Sequence, residues 1–157
     1  ALTVEQNVLL AVYGLRPDRW HPLRLVPRRG QLRDRVREVL AGVRLDRPGA
    51  TRARELSHGE QRQLELALAL VWEPRVLLLD EPAAGLSSAE RGLIRQIIRG
   101  LQPELTLVLI EHDMDLALSV ADYVVCLHNG RTIGEGEPDA IRRNQAVQDV
   151  YLGSPAA

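Results

Sequence analysis

The sequence predicts an α/β protein in which a helical N-terminal part precedes a half built on a parallel sheet. Up to about Trp72 the apolar residues recur at helical spacing; Leu32, Val36, Val39, Leu40 and Val43, for example, fall on one face. Beyond that point VLLLD (76–80) and LTLVLIEH (105–112) are unbroken apolar runs, the pattern of parallel strands covered on both faces. A helical stretch from Ser88 to Gly100 separates them. Strand, helix, strand in that order makes a βαβ unit with a right-handed crossover.

Taken in order, residues 3–13 are expected to be helical, because Thr3 and Gln6 have the spacing of a capping box and Gly14 is a natural stop. Arg16 to Gly30 carries Pro17, Pro22, Pro27 and five arginines and is expected to be an irregular surface loop. Gln31 to Val43 returns to helical period, and RLDRPGATRAREL (44–56) is a second loop. Ser57 and Glu60 repeat the capping-box spacing and open a helix to about Trp72, with Leu64, Ala67, Leu68 and Val71 as its core stripe and Pro74 beyond its end. A helix over 113–121 leads to the strand YVVCLHNG (123–130), where Asn129-Gly130 predicts a tight hairpin turn and RTIGEG (131–136) its partner strand. Pro138 to Asn144 and Val147 to Leu152 are expected to be short helices, with 153–157 frayed. The chain thus divides into a helical part (1–72), an α/β part (73–136) and a C-terminal part (137–157).

Composition narrows the function classes. The 157 residues carry a net charge of −1, which offers no argument for a nucleic-acid partner. The single cysteine, Cys126, excludes an internal disulfide, and no zinc-ligand cluster is present; both fit a reducing cytoplasm. No apolar run approaches the ~20 residues of a membrane helix, and ALTVEQNVLL lacks the layout of a signal peptide. Membrane association would therefore go through a partner. All twenty basic residues are arginine, so no lysine is available to any motif.

Two constellations carry chemistry. In parallel α/β sheets ligands bind beyond the carboxyl ends of the strands, and Asp80, Glu81 and His112 are expected along that edge. An acid near Mg²⁺, a second acid orienting water and a histidine on a phosphate would suit nucleotide hydrolysis. Taken alone, Asp80-Glu81 also fits a solvated strand end turned by Pro82, and His112 a surface or capping residue. Glu111, Asp113 and Asp115 invite a metal reading, but Asp113 is better explained as the N-cap of the next helix. The second constellation is LSHGEQRQLELALAL (56–70). Ser57 caps a helix whose free N–H groups form an anion site, and Gly59 would let a phosphate approach the backbone. An ordinary well-capped helix would look the same.

Together these segments resemble the ATPase subunit of an ABC transporter. LSHGEQRQLELALAL is similar to the signature motif and its helix, VLLLDEP to the Walker B strand with its catalytic glutamate, AAGLS to the D-loop, and IEHD to the switch-histidine loop, all in the family's order. TVEQNVLLA looks like the segment after the Q-loop. DEPAAGL, EHDMDL and HNGRTIGEGEPDAIRRNQAVQDVYLG resemble the branch that imports branched-chain amino acids and related amides such as urea.

The resemblance implies ATP and Mg²⁺ as cofactors, a P-loop NTPase fold and a role for each matching residue. Asp80 would hold the Mg²⁺ shell through water. Glu81 would polarise the attacking water, and His112 would contact the γ-phosphate. Ser57, His58, Gly59 and Glu60 would face ATP held by the opposite subunit of a head-to-tail dimer, and Ala84, Gly85, Leu86 and Ser87 would lie at the dimer contact. Permease subunits would hold the ATPase on the inner face of the membrane.

Three departures qualify this. His58 and Glu60 stand where Gly and Gln are commonest, and Ser87 stands where the D-loop usually has aspartate. A P-loop needs a lysine, so these residues contain no Walker A motif; the fold is expected to be an incomplete P-loop NTPase domain, inactive by itself. Two alternatives belong to other classes: a non-catalytic module offering its signature face to a complete ATPase, and an ABC-type ATPase working outside transport.

Overall fold

A computed structural model of the chain describes residues 2–14 and 29–152. The residues fall into two compact units, one running to Leu77 together with Gln102–Thr106, the other comprising Leu78–Leu101 and the residues from Leu107 onward.

The first unit is built on helices α1 (Val4–Gly14), α2 (Arg29–Gly42) and α3 (His58–Leu70), each touching the other two. The capping box of α1 forms as expected: Thr3 N–H donates to Gln6 Oε1 at 2.9 Å and Gln6 N–H to Thr3 Oγ1 at 3.2 Å. Most of the expected loop over 16–30 lies outside the described residues, but Arg29 and Gly30 belong to α2, which starts earlier than its apolar stripe suggests. That stripe is buried throughout, from Leu32 to Val43. The 44–56 segment is more ordered than a plain loop. Val4 N–H bonds the Thr51 carbonyl at 2.9 Å, Ala53 N–H bonds the Leu2 carbonyl at 3.0 Å, and Ala53–Glu55 forms a 3₁₀ turn.

Two corrections concern α3. Leu68 is only half-buried, and Leu66 and Gln63 occupy the core instead. Gln63 can do so because its Nε2 donates to the Val43 and Arg44 carbonyls, both at 2.9 Å, which satisfies a buried amide. The helix ends at Leu70, short of Trp72, because Glu73 turns to a φ of +49° ahead of Pro74. Trp72 instead donates its indole N–H to the Ala11 carbonyl at 2.7 Å. The C-terminal end of α3 is capped in tertiary fashion: Arg35 donates Nε and Nη2 to the Val71 carbonyl at 3.2 and 3.1 Å.

Strands β1 (Val76–Asp80) and β2 (Thr106–Ile110) are joined through α4 (Ser88–Arg99). Thr106 N–H bonds the Arg75 carbonyl at one end and Glu81 N–H the Ile110 carbonyl at the other, both at 2.9 Å, so numbering rises together and the pair is parallel. Burial on both faces is not found. Leu77 is buried, whereas its neighbour Leu78 is 70% exposed and Ile110 is 60% exposed. Alternate strand residues point to opposite faces, and among the described residues nothing covers the face that carries Val76, Leu78, Val108 and Ile110.

In the second unit β3 (Val124–His128) pairs antiparallel with β4 (Arg131–Gly136). The turn between them has φ of +49° at Asn129 and +73° at Gly130, as the Asn-Gly pair predicts. Helices α5 (Met114–Val120), α6 (Pro138–Arg142) and α7 (Gln145–Val147) pack around Leu118, Cys126, Ile141 and Val147. Asn144 caps α7 rather than extending α6, accepting from Val147 N–H at 3.3 Å. Gly134 is required by space, since a β-carbon there would come within 2.9 Å of Asn144 and Val147 side-chain atoms. Burial raises the Cys126 thiol above its ordinary pKa, so it serves as a small apolar residue. The expected frayed end over 153–157 lies outside the described residues.

Candidate active site

β1 ends by delivering two acids to one edge. Asp80 is its last residue and is exposed. Glu81 follows with a φ of +46°, a left-handed conformation that is uncommon outside glycine, costs about 1–3 kcal/mol and persists only where its surroundings impose it. They do. Glu81 N–H is held by the Ile110 carbonyl at 2.9 Å, and the Glu81 carbonyl accepts from Ala84 N–H at 3.1 Å. Pro82 and Ala83 are buried, and Gly85 carries the next positive φ, +73°, as the chain turns.

β2 delivers the complementary groups. Glu111 bends back so that its Oε1 accepts from Ala83 N–H at 3.1 Å. His112 stays exposed, with Nδ1 3.2 Å from Glu81 Oε1. The structure therefore brings Asp80, Glu81, Glu111 and His112 together at the carboxyl ends of β1 and β2, as parallel pairing predicts. With Nδ1–H donating to the carboxylate, Nε2 can donate to a ligand oxygen in the doubly protonated ring. Asp113 is the N-cap of α5, accepting from Leu116 N–H at 3.0 Å, and among the described residues no group of three or more His, Cys, Asp or Glu side chains could hold a metal. Asp80 alone suits Mg²⁺, which keeps waters and needs only one or two carboxylates beside phosphate oxygens.

The stretch from Ala84 to Ser87 closes this edge and enters α4. Ser87 is the N-cap of that helix: its Oγ accepts from Glu90 N–H at 3.4 Å while Glu90 Oε2 accepts from Ser87 N–H at 2.9 Å. Ser87 and Glu90 have the same Ser-x-x-Glu spacing as Ser57 and Glu60, a local signal of this second capping box. The Glu111–Ala83 bond had no local signal, because the two residues come together only through strand pairing.

In the first unit Ser57 takes an extended conformation and caps α3. Its Oγ accepts from Glu60 N–H at 3.3 Å, and Glu60 Oε2 accepts from Ser57 N–H at 2.8 Å. His58 is exposed, and Gly59 is buried in the first turn. The second oxygen of Glu60 is taken as well: Arg47 Nε donates to Oε1 at 2.6 Å. That bond, reinforced by the Ser57 N–H, holds the Glu60 carboxyl below its ordinary pKa, and the same bond raises Arg47. Arg47 was not foreseen. It lies in the loop before α3 and has no sequence relation to the capping box.

Two family models match the chain. A family model described as "ABC transporter" matches residues 1–84, and one described as "Branched-chain amino acid ATP-binding cassette transporter" matches 131–157. The high-affinity branched-chain amino acid transport ATP-binding protein LivG of Escherichia coli K12 is 35% identical over 97% of this chain and 62% of its own length. BraF of Pseudomonas aeruginosa, of the same description, is 43% identical over 62% of this chain and 39% of its own. The chain thus spans less than two thirds of the length of the curated relatives it matches. Among solved structures, the dimeric post-hydrolysis form of the ATP-binding cassette MJ0796 bound to ADP and Pi superposes with a TM-score of 0.69 at 25% identity, covering 87% of this chain and 57% of that one. The ordered motifs, the parallel strands that place them and these matches lead to one conclusion: the chain belongs to the ABC transporter family.

Proposed function

We propose that in the complete protein these residues form the hydrolytic and signature parts of an importer ATPase, which closes ATP between two head-to-tail subunits and drives uptake of branched-chain amino acids or related small amides. The observation that carries this is the Glu81–His112 contact at 3.2 Å beyond the ends of two parallel strands, next to Asp80. The C-terminal match to the branched-chain amino acid transporter model supports the choice of solute, and the ADP- and Pi-bound dimer of MJ0796 supports the paired arrangement.

In this scheme the Glu81 carboxylate accepts the proton of the attacking water and orients it, with its position held by the turn through Ala84. His112 keeps Nδ1–H on Glu81 and, as the imidazolium, donates Nε2–H to the γ-phosphate. Asp80 would hold Mg²⁺ through water, and that ion would supply neutralising charge at the phosphates. Ser57, Gly59 and the positive N-terminal end of α3 would receive the γ-phosphate of ATP bound by the other subunit, with Ala84–Ser87 at the contact between subunits. Among the described residues no helix is long and apolar enough to cross a membrane. Attachment to the inner face of the membrane would run through permease subunits.

Glu81→Gln in the complete ATPase tests this assignment. Turnover should fall at least a hundredfold, about the scale of losing a positioned base, while ATP binding measured by fluorescence or calorimetry persists. Hydrolysis at the unaltered rate would remove Glu81 from its role. The 157 residues alone, which include no P-loop lysine, should show no ATPase activity.

A further inference from the structure

We propose that Arg47 is a charge-compensating residue of the signature helix, cancelling the Glu60 carboxylate so that a nucleotide phosphate can approach the first turn of α3. The inference rests on the assignment of Ser57–Glu60 as the phosphate-facing segment. A carboxylate in the first helical turn suits the helix dipole, but it repels a second anion that approaches the same turn. Here both Glu60 oxygens are occupied, Oε2 by Ser57 N–H at 2.8 Å and Oε1 by Arg47 Nε at 2.6 Å.

The pair is tertiary rather than a helix-surface coincidence, because Arg47 comes from the loop that precedes α3. The other nearby guanidinium of this helix, Arg62, is engaged one turn on by Glu65 at 2.7 Å, so it does not serve Glu60. Arg47 is half exposed, and ion pairs of that kind add little to stability. Its loss should leave the fold standing and the Glu60 charge uncompensated beside the incoming phosphate. Arg47 is thus a positioning residue acting through Glu60, and its signature is electrostatic.

The test is a coupling measurement on the complete ATPase, with KM for ATP and kcat determined separately. Arg47→Ala should raise KM about tenfold, as an uncompensated charge near a polyphosphate would, with kcat at saturation changed far less and the defect shrinking at high salt. Arg47→Lys should recover most of the loss. In the Glu60→Gln background the Arg47→Ala change should cost less than about twofold, because no charge is left to cancel. Arg47→Gln, which keeps the stem and a donor, is the second variant if the alanine protein folds poorly, and the same coupling is expected of it. An unchanged KM, or an equal loss in both backgrounds, overturns the proposal. Ser57→Arg separates the two levels. If it leaves turnover intact, the phosphate-facing assignment itself is wrong; if it abolishes turnover while Arg47→Ala is harmless, only charge compensation fails.

Discussion

Replacing Glu111 by alanine should uncouple the site from the strand that supports it. The Glu111 carboxylate touches no atom assigned to the reaction; it accepts the N–H of Ala83, a residue only 4% exposed, two positions after Glu81. Without it that buried N–H has no acceptor, and hydrogen bonds to charged groups of this kind contribute about 1.5–3 kcal/mol. The turn can relax to find another acceptor. It then forfeits the geometry that keeps Glu81 at a φ of +46°, and the lost free energy appears as a smaller fraction of molecules with Glu81 in place. At one tenfold step per 1.4 kcal/mol, kcat should fall about 10- to 100-fold with little change in ATP affinity. Glu111→Gln keeps an acceptor oxygen and should retain most of the activity. Steady-state hydrolysis by the complete ATPase, with thermal denaturation of each variant, measures both effects. Alanine and glutamine variants that are equally impaired at equal stability would refute the role given to the acceptor. An alanine variant with unaltered kcat would refute the role given to the turn.

Two further outcomes concern the first unit. Gln63→Leu removes both donors to the Val43 and Arg44 carbonyls and should destabilise the fold by about 1–3 kcal/mol, since one buried acceptor is left unpaired and a part-buried one is left to solvent; urea unfolding followed by circular dichroism reads it. Acid should weaken the cap of α3. Because the folded-state pKa of Glu60 is lowered, its contribution is complete above the unfolded value of about 4.3 and is lost as pH falls through the folded one. The Tm difference between wild type and Glu60→Gln should therefore persist from neutral pH down to that range and vanish below it.

Much of the fold was readable because its signals are local. The Thr3–Gln6 and Ser57–Glu60 boxes, the Asn129-Gly130 turn and the apolar runs of β1 and β2 each depend on residues adjacent in sequence, so spacing alone reports them. The order of those elements was enough to place Asp80, Glu81 and His112 at one sheet edge. What escaped was long-range or one-sided. Gln63 reads as a polar helix residue until two carbonyls from the preceding loop arrive to satisfy it. The apolar run Val76–Leu79 reads as doubly buried, yet Leu78 is mostly exposed, because composition records what a strand could bury and not what covers it. The end of α3 was overestimated because no local rule anticipates a left-handed Glu73.

The sequence by itself determined the family, the order of the motifs and the residue types available to the chemistry, including the lysine that is absent. Those depend on identity and spacing, which the chain carries without folding. Only the tertiary structure decided which oxygens and nitrogens meet. It set His112 against Glu81, tied Glu111 to the turn at Ala83 and brought Arg47 to the Glu60 carboxylate. Each of those contacts joins residues separated along the chain, and strand pairing or loop closure, not local propensity, sets their distance.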